Sequence, residues 1–466
     1  MRRGRVRRSR RNSRSFGWII WVLLLLIIAG GVFFAYTSPM FERTPPKIIA
    51  PKVISANAKT PIKFKVEDNA GIKSAKVVLS SNSKELPIYN QKFLIKSKSK
   101  EVKVPLPKEV INSKNSNWNI IITTNDSSLW NFGMGNSAKA VAKLIIDNTP
   151  PRINLVASSQ NIRKGGSGVV IYKVEDEHLK DTYIDIGNGI KFKPIRYKKD
   201  GVYATLIAWP FNQDEFNPKI VAIDSANNKS ANSLQIYKLD KVYKTSKIKA
   251  RDKFIDGKIT ELAQSDKDYA NISDRLERLK AVNEKMRKKN EDLIHKYSKN
   301  VTPFKDKWDI KPFKPLKGSK RVSDFGVKRY YYYKSPDNIV STSYHVGYDF
   351  ASVKHDNIYS SNKGKVVFAS LNGIYGNMPM IDHGFGLYTL YGHCSSVLVK
   401  KGDEVKANEV IAKTGTTGLA LGDHLHFGVL VQGIEVLPLE WMKRKWIEDH
   451  INLTFRKADK NLGIIR

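Results

Sequence analysis

The chain of 466 residues is long enough for about three domains of ordinary size, and 41% of its residues are hydrophobic, which excludes a globally disordered protein. Lys and Arg total 80 against 44 Asp and Glu, which gives a net charge of +36. This excess is typical of proteins that bind a polyanion, and also of chains with a general lysine bias, so both interpretations stay open. The single cysteine, Cys394, excludes an intramolecular disulfide.

The first predicted element is a membrane anchor. Residues 1–15 form a basic tail with eight Arg in the first 14 positions, and residues 16–36 follow without a charge. That run matches the ~20 apolar residues of a membrane-spanning helix and exceeds the ~7–15 residues of a cleavable signal core. The basic flank predicts a cytoplasmic amino terminus. We therefore expect a single-pass protein of the cytoplasmic (inner) membrane with its other domains in the periplasm or cell-wall space, away from nucleic acid.

Two similar segments come next, about 100 residues apart. Thr44–Ile48 (TPPKI) recurs as Thr149–Ile153 (TPPRI), and a shared KVED tetrapeptide has nearly the same offset. This spacing, with alternating apolar and polar residues between, is typical of immunoglobulin-like sandwiches. We predict two such domains, at 44–147 and 148–248. They resemble bacterial spacer modules and would hold another domain away from the membrane.

Residues 251–302 are predicted to be a helical segment. Apolar residues recur there at three- and four-residue steps, namely Ile272, Leu276, Leu279, Met286, Leu293 and Tyr297. Read as heptads, the pattern places Asn283 and Asn290 at a positions, which favours a dimeric coiled coil. The alternative is a helix or helical pair folded against the next domain. The second interpretation is preferred because the pattern covers only about three heptads.

From residue 303 to residue 466, with a core at 320–442, glycine-bounded apolar runs predict an all-β domain. The whole chain is thus predicted to be mainly β, apart from the anchor and the helical segment. Four of the seven His in this last domain stand in a specific arrangement with one Asp, as an H-x-x-x-D, a single His and an H-x-H: His345, Asp349, His393, His424 and His426. The other five His of the chain lack such a context and are interpreted as structural or surface residues.

The spacing of these residues allows a metal site. Two His at alternate positions of a strand point to one face, ~6.6 Å apart. His345 and Asp349 would be ~13 Å apart on a fully extended chain and could not share one ion. The chain must therefore bend between them, and Gly347 is the position where it can.

The segment from Ser323 to Trp441, about a quarter of the chain, resembles the lysostaphin/LytM-type zinc endopeptidases. The resemblance rests on an ordered series of motifs: Ser323–Gly326 (SDFG), Arg329, His345–Asp349 (HVGYD), Lys363–Val367 (KGKVV), Ile381–Gly384 (IDHG), Leu390–His393 (LYGH), Thr414–Gly418 (TGTTG) and Gly422–Phe427 (GDHLHF). Asp423 and Gly428 depart from the family pattern, which usually has Pro and Glu at these positions.

The resemblance implies an antiparallel β-sheet that forms a groove, with a Zn2+ ion held by His345, Asp349 and His426. His393 and His424 would flank the metal-bound water, and which of them is the general base stays open. The implied partner is peptidoglycan, cut in its cross-links or stem peptides. D,D-endopeptidase activity is expected first, and carboxypeptidase activity is a further option.

Three other functions are weighed against this one, of which a peptidase for ordinary proteins is the least favoured by the resemblance. A non-catalytic LytM-type regulator would bind and activate another wall hydrolase, but it predicts missing zinc ligands, and none is missing. A structural anchor or assembly protein would depend on the two sandwiches and the helix instead. Protein partners of the cell-wall machinery and the oligomeric state stay open.

Overall fold

The computed structural model describes residues 17–81, 84–111, 118–304 and 308–465. The chain divides into two compact units, the first up to Thr149 with Ser225–Asn228, and the second with Pro150–Asp224 and Lys229–Arg466. The predicted basic tail at 1–15 lies outside the described residues.

The first described element is the helix Gly17–Thr37, which contains no charged residue. Within the described ranges it is the one helix long and apolar enough to cross a membrane. Its apolar side chains are mostly exposed. The predicted apolar helix of spanning length is therefore confirmed, and its insertion into a membrane stays a prediction.

The rest of the first unit is a two-sheet β-domain. One sheet has the strand order Lys47–Ile49, Ile62–Glu67, Ser99–Val104. The other has the order Val53–Ala56, Ser137–Ile146, Trp118–Asp126, Ile72–Ser81, Lys84–Lys92. Strict alternation in Ile62–Glu67 sends Phe64 and Val66 into a core shared with Val77 and Ile120 of the second sheet. A 3-10 turn, Pro39–Phe41, and a short helix, Lys108–Ile111, complete this domain.

The second unit begins with another two-sheet β-domain. Its first sheet has the order Ile195–Arg196, Val202–Ala208, Ser167–Glu175, Arg152–Ser158. Its second sheet has the order Lys191–Phe192, Leu179–Asp185, Lys219–Asp224, Lys229–Ser233. A parallel pair, Asn161–Arg163 with Tyr237–Leu239, lies beside them. Both β-domains thus have the two packed sheets that a sandwich requires, and the immunoglobulin-like assignment and the domain boundaries stay predictions.

The helical segment packs against the carboxy-terminal domain. Its helical turns are Phe254–Ile259, Thr260–Gln264, Arg275–Lys280, Ala281–Met286 and Arg287–Ser298. Asn283 is buried, and its side-chain amide donates to the Ser341 hydroxyl at 2.8 Å. The Asn290 side chain accepts a hydrogen bond from the Ile374 backbone N–H at 2.9 Å. The two Asn therefore contact the same chain, as the helix-against-domain interpretation predicts, rather than a coiled-coil partner.

The carboxy-terminal domain is built on one large sheet, antiparallel throughout. Its strand order is Lys320–Ser323, Tyr348–Ala351, Leu425–Val431, Leu387–Gly392, Asn377–Asp382, Gly364–Leu371, Glu404–Val405, and Ile434–Val436 pairs with Leu425–Val431. Two three-stranded sheets flank it, one of Thr245–Lys249, Val327–Tyr332 and Ile339–His345, the other of Asn357–Tyr359, Val410–Lys413 and Ser396–Val397. A 3-10 turn, Gly373–Tyr375, precedes the strand Asn377–Asp382.

All seven residues of the central strand Leu425–Val431 are buried, since both faces of the sheet are covered. A continuous apolar run is the sequence signature of such a strand. His426 is its one strongly polar side chain, and a buried imidazole requires partners.

The chain ends in the helices Pro438–Met442, Arg444–Trp446, Ile447–Asn452 and Leu453–Asn461. The last of these packs on the second β-domain, because Asp459 accepts a hydrogen bond from the Tyr197 hydroxyl at 2.8 Å and Asn461 donates to the Val156 carbonyl at 2.8 Å. Residues beyond 442 therefore connect the carboxy-terminal domain to the second β-domain, within one unit.

Candidate active site

The large sheet brings the predicted site residues together by register. Asp349 lies directly opposite His426 on the neighbouring strand, and Gly392 lies opposite His426 on the other side. His393 follows Gly392 at the strand end, and His345 ends the strand Ile339–His345. All five predicted residues therefore meet at one end of the central strands.

Three potential metal-ligand atoms lie close together. Asp349 Oδ1 lies 2.9 Å from His345 Nε2 and 2.9 Å from His426 Nδ1, and the two ring nitrogens are 3.1 Å apart. All three residues are buried. A triangle of this size lets a single ion contact all three atoms at bond lengths of ~2.0–2.2 Å.

The hydrogen bonding of His345 tests whether a metal fits. Its Nδ1 lies 2.7 Å from the Asp324 carbonyl oxygen, which can only accept, so Nδ1 carries the proton. In the neutral ring the Nε2 lone pair then faces the Asp349 carboxylate, and two acceptors repel unless a cation lies between them. Two imidazoles and one carboxylate are a ligand set typical of catalytic zinc. The residues present therefore fit a zinc ion.

His393 and His424 stand beside this triangle with the same tautomer. His393 Nδ1 donates to the Thr417 carbonyl at 2.8 Å, and His424 Nδ1 donates to the Gly422 carbonyl at 2.7 Å. The ring centroids are 4.8 Å apart, and His424 Nε2 is 3.8 Å from Asp349 Oδ1. Each ring thus keeps Nε2 as a proton acceptor next to the three ligand atoms.

The backbone at His393 is held in an uncommon conformation. Its φ is +63°, in the left-handed region that non-glycine residues rarely adopt. Hydrogen bonds from His393 N to the Tyr375 carbonyl, at 2.8 Å, and from Cys394 N to the Asn377 carbonyl, at 3.0 Å, fix this turn. Strain of this kind often lies at functional sites, and here it turns the imidazole toward the triangle.

Burial and charge set the protonation states of the site. Burial raises the pKa of the Asp349 carboxyl, but its electrostatic and hydrogen-bond interactions with His345 and His426 outweigh burial and leave this pKa well below its usual value. Burial lowers the pKa of His426 to about 4. Burial, with the nearby His424 and His426, lowers the pKa of His393 well below its usual value. A carboxylate and neutral imidazoles are the forms that bind metal.

An arginine approaches the ligand carboxylate from outside the triangle. Arg329 lies 3.6 Å from Asp349 Oδ2 and donates to the Ser323 hydroxyl at 2.8 Å. It therefore contacts the carboxylate oxygen that the triangle does not use, and it orients Asp349.

The chain bends at Gly347 as predicted, but the reason for glycine there is close packing. The backbone φ of Gly347 is not in the left-handed region, so the bend does not by itself require glycine. A Cβ at this position would instead lie 2.6 Å from Cε1 and Nε2 of His426 and 2.7 Å from the Phe427 carbonyl oxygen. Glycine is required because the His426 ring packs directly on the backbone.

The site opens into a cavity of about 570 Å³. Part of its wall comes from residues that precede the carboxy-terminal domain, which the sequence interpretation did not find. These are Ile248, Arg251, Phe254 and Arg287, from the strand Thr245–Lys249 and the helical segment. No local motif marks them, because they reach the site through a parallel pairing of Thr245–Lys249 with Val327–Tyr332 and through helix packing.

Three residues near the site have structural surroundings. Cys394 is buried, and burial raises the pKa of its thiol to about 12, which keeps it protonated. His383 is buried between the Lys363 carbonyl and the Thr389 hydroxyl, away from the triangle. Asp423, which departs from the family pattern, accepts a hydrogen bond with its carboxylate from the His355 backbone N–H at 3.3 Å.

Comparison with known proteins is consistent with this geometry. The sequence profile of peptidase family M23 matches residues 343–438. The chain is 40% identical over 99 residues to the peptidoglycan DD-endopeptidase ShyB of Vibrio cholerae, which is 21% of this chain and 22% of that protein. It is 37% identical over 95 residues to the DD-carboxypeptidase/endopeptidase Mpg of Neisseria meningitidis, covering 20% and 22%.

A relative of another kind matches the same part of the chain. The murein hydrolase activator NlpD of Salmonella dublin is 36% identical over 101 residues, 21% of this chain and 26% of that protein. The chain thus matches between a fifth and about a quarter of the length of these curated relatives. With its motif series, its register and its profile match, the carboxy-terminal domain of this chain is a peptidase family M23 domain of the LytM type.

Proposed function

We propose that this protein is a membrane-anchored zinc endopeptidase that hydrolyses peptide bonds in bacterial peptidoglycan. The observation that carries the proposal is the convergence of His345 Nε2, Asp349 Oδ1 and His426 Nδ1 within 3.1 Å of one another. His393 and His424 lie beside this point, each with Nε2 available to accept a proton.

His345, Asp349 and His426 would hold the zinc ion. When bound, a zinc ion of this kind supplies a nucleophilic water at neutral pH and polarises the scissile carbonyl. One of His393 and His424 accepts the proton of the attacking water and passes it to the leaving amine as the C–N bond breaks. The other donates a hydrogen bond to the oxygen that gains charge when its Nε2 is protonated, because its Nδ1–H is already bound to a backbone carbonyl. Such acid–base assistance typically contributes ~10²–10⁴-fold to the rate.

The proposed substrate bond follows from the named activities of two relatives. ShyB and Mpg are both named DD-endopeptidases, which favours the cross-link between stem peptides as the bond that is cut. Mpg is also named a DD-carboxypeptidase, so trimming of stem peptides is the second activity to test. The apolar helix Gly17–Thr37 would keep the protein at the cytoplasmic membrane, with the M23 domain in the cell envelope.

The alternative is a regulator that activates another wall hydrolase. The relative that favours it is NlpD, named a murein hydrolase activator. A regulator does not need zinc ligands or two proton-accepting histidines, whereas this chain has all five residues in one cluster. We therefore place hydrolysis first.

The test is digestion of purified peptidoglycan by the full chain in detergent micelles, with released muropeptides separated by mass. A zinc endopeptidase should remove cross-linked dimers, and a chelator should stop the reaction until zinc is restored. The matched control is Asp349→Ala, which removes a ligand from the triangle. If the zinc-loaded protein leaves the dimers intact but accelerates a second hydrolase, the regulator takes first place.

A further inference from the structure

The first β-domain exposes apolar side chains on two neighbouring loops. The first apolar loop, residues 129–134, carries Leu129, Trp130, Phe132 and Met134, all exposed, with Phe132 at 101%. The second apolar loop, residues 93–95, carries Leu94 at 101% and Ile95 at 80%. Single exposed apolar residues are ordinary, but two apolar loop tips side by side are typical of an interaction surface.

Backbone hydrogen bonds hold the two loops at the same end of the domain. The segment around Lys73 lies between them, because Phe93 N donates to the Lys73 carbonyl at 2.8 Å and Ser127 N donates to the Gly71 carbonyl at 2.7 Å. The Lys73 ammonium also donates to the Gly133 carbonyl at 3.1 Å. The two loops therefore form one surface.

The same end of the domain meets the segment that leaves the apolar helix. Leu129 N donates to the Met40 carbonyl at 2.7 Å, three residues after the helix ends at Thr37. The Arg43 guanidinium lies 4.1 Å from the Trp130 ring and 5.0 Å from the Tyr36 ring. The loops are thus fixed close to one end of the helix, beside interfacial residue types, Trp, Tyr and Arg.

The conformation and charge of the loops fit a lipid surface. Phe132 has φ +55°, a strained position for an aromatic residue, and it turns the side chain fully into solvent. Four lysines surround the second apolar loop: Lys92, Lys96, Lys98 and Lys100. The Lys100 ammonium lies 4.0 Å from the Phe93 ring, beside the loop tip. Apolar tips ringed by cations match anionic headgroups above an acyl layer.

We propose that the two apolar loops insert into the interface of the membrane that the helix Gly17–Thr37 spans, on the side of the folded domains. The occupant is a lipid bilayer with anionic headgroups. The inference rests on the proposed membrane anchor and is independent of the peptidase activity. The first β-domain then contacts the membrane surface directly, in addition to its covalent link to the helix.

The test places a fluorescent label at single cysteines of the full chain in liposomes that contain anionic lipid and quencher-labelled lipid. The two test positions are Phe132→Cys and Leu94→Cys. Val141→Cys, at an exposed apolar position midway along Ser137–Ile146, is the matched control outside the loops, and Leu25→Cys reports the helix. The native Cys394 is buried and does not compete for label.

The labels at 132 and 94 should be quenched strongly and lie about 5–10 Å into the headgroup and acyl boundary, while the label at 141 stays in water. Adding Lys96→Glu and Lys98→Glu should reduce quenching at 94. Equal quenching at 132, 94 and 141 with a quenched helix position would overturn the proposal. An unquenched helix position would overturn the anchor and this inference together, leaving the peptidase proposal untouched.

Discussion

At the candidate active site, three imidazoles each have one nitrogen bound to a backbone carbonyl. His345, His393 and His424 each place Nδ1 within 2.8 Å of a carbonyl oxygen. A carbonyl only accepts, so the tautomer is set before any ligand arrives. The difference lies in the distance of Nε2 from Asp349 Oδ1, which is 2.9 Å in His345 and 3.8 Å in His424.

His424→Ala tests the division between ligands and proton carriers. The change should lower the rate of peptidoglycan hydrolysis by ~10²-fold or more, because a general acid–base group is lost. Zinc content, measured by elemental analysis of the purified protein, should stay at the wild-type level. Loss of zinc in this variant would contradict its assignment and make His424 a ligand.

Gly347→Ala tests the close approach at His426. The new Cβ would lie 2.6 Å from the ring, so the ring must move away from Asp349. We expect a ~10–100-fold loss of zinc affinity in competition with a fluorescent chelator, the range seen when a group that orients a ligand is changed. Gly257→Ala is the control, since a Cβ there meets nothing within 4 Å. Equal affinities in both variants would refute this role.

The helix Arg287–Ser298 acts as a support for the site, although it precedes the M23 domain. Asn290 accepts from the Ile374 N–H with its side chain and from the Asn372 amide with its carbonyl. The turn it fixes contains Tyr375, whose ring lies 5.5 Å from that of His426. The Tyr375 carbonyl also accepts from His393 N at 2.8 Å, so the helix reaches a proposed proton carrier through one residue.

Asn290→Ala should therefore affect both stability and activity. It leaves the buried Ile374 N–H without its acceptor, which costs ~1–3 kcal/mol of unfolding free energy. Chemical denaturation should show this loss, and hydrolysis should slow because the turn at Tyr375 is less restrained. Lys288→Ala on the exposed face of the same helix should change neither. A destabilised variant with wild-type turnover would mean that the helix supports the fold but not the site.

In the whole second unit, the second β-domain and the M23 domain are joined around a buried carboxyl. Glu440 accepts a hydrogen bond from Ser167 N at 3.2 Å, and Trp441 donates to the Ser167 hydroxyl at 3.2 Å. Burial raises the pKa of Glu440 to about 8. The two domains therefore share a junction that disfavours the ionised form.

The pH dependence of stability should report this junction. Between pH 4.5 and about 8 the unfolded chain has lost the Glu440 proton while the folded protein keeps it, so unfolding free energy falls by up to ~1.4 kcal/mol per pH unit. Glu440→Gln removes this pH dependence. The melting temperature of the variant, relative to that of the wild type, should therefore be higher at pH 8 than at pH 5. Exposed Glu277→Gln is the control. An equal difference at both pH values would contradict the predicted ionisation.

Much of the site was visible in the sequence because its motifs are short. The H-x-x-x-D and H-x-H spacings, with the glycine-rich runs between them, carried the resemblance that the profile match confirms. The apolar helix and the mainly β fold were predictable for the same reason, since length and alternation are local properties. The bend at Gly347 was predictable as well, but its close packing was not, because the ring that excludes a Cβ lies 79 residues away in sequence, at His426.

The sequence by itself identified the candidate residues, and the family resemblance implied their roles: two imidazoles and a carboxylate for a metal, and two further imidazoles for protons. Tertiary structure alone decided the surroundings of these residues. Arg287 and Phe254 line the cavity through helix packing, and Asn283 meets Ser341 rather than a second helix. The physical reason is that the type of a ligand residue and the period of a helix can be identified from residues that are close together in the sequence. The partner of a buried polar group depends on which distant surfaces pack together, and no local pattern specifies that.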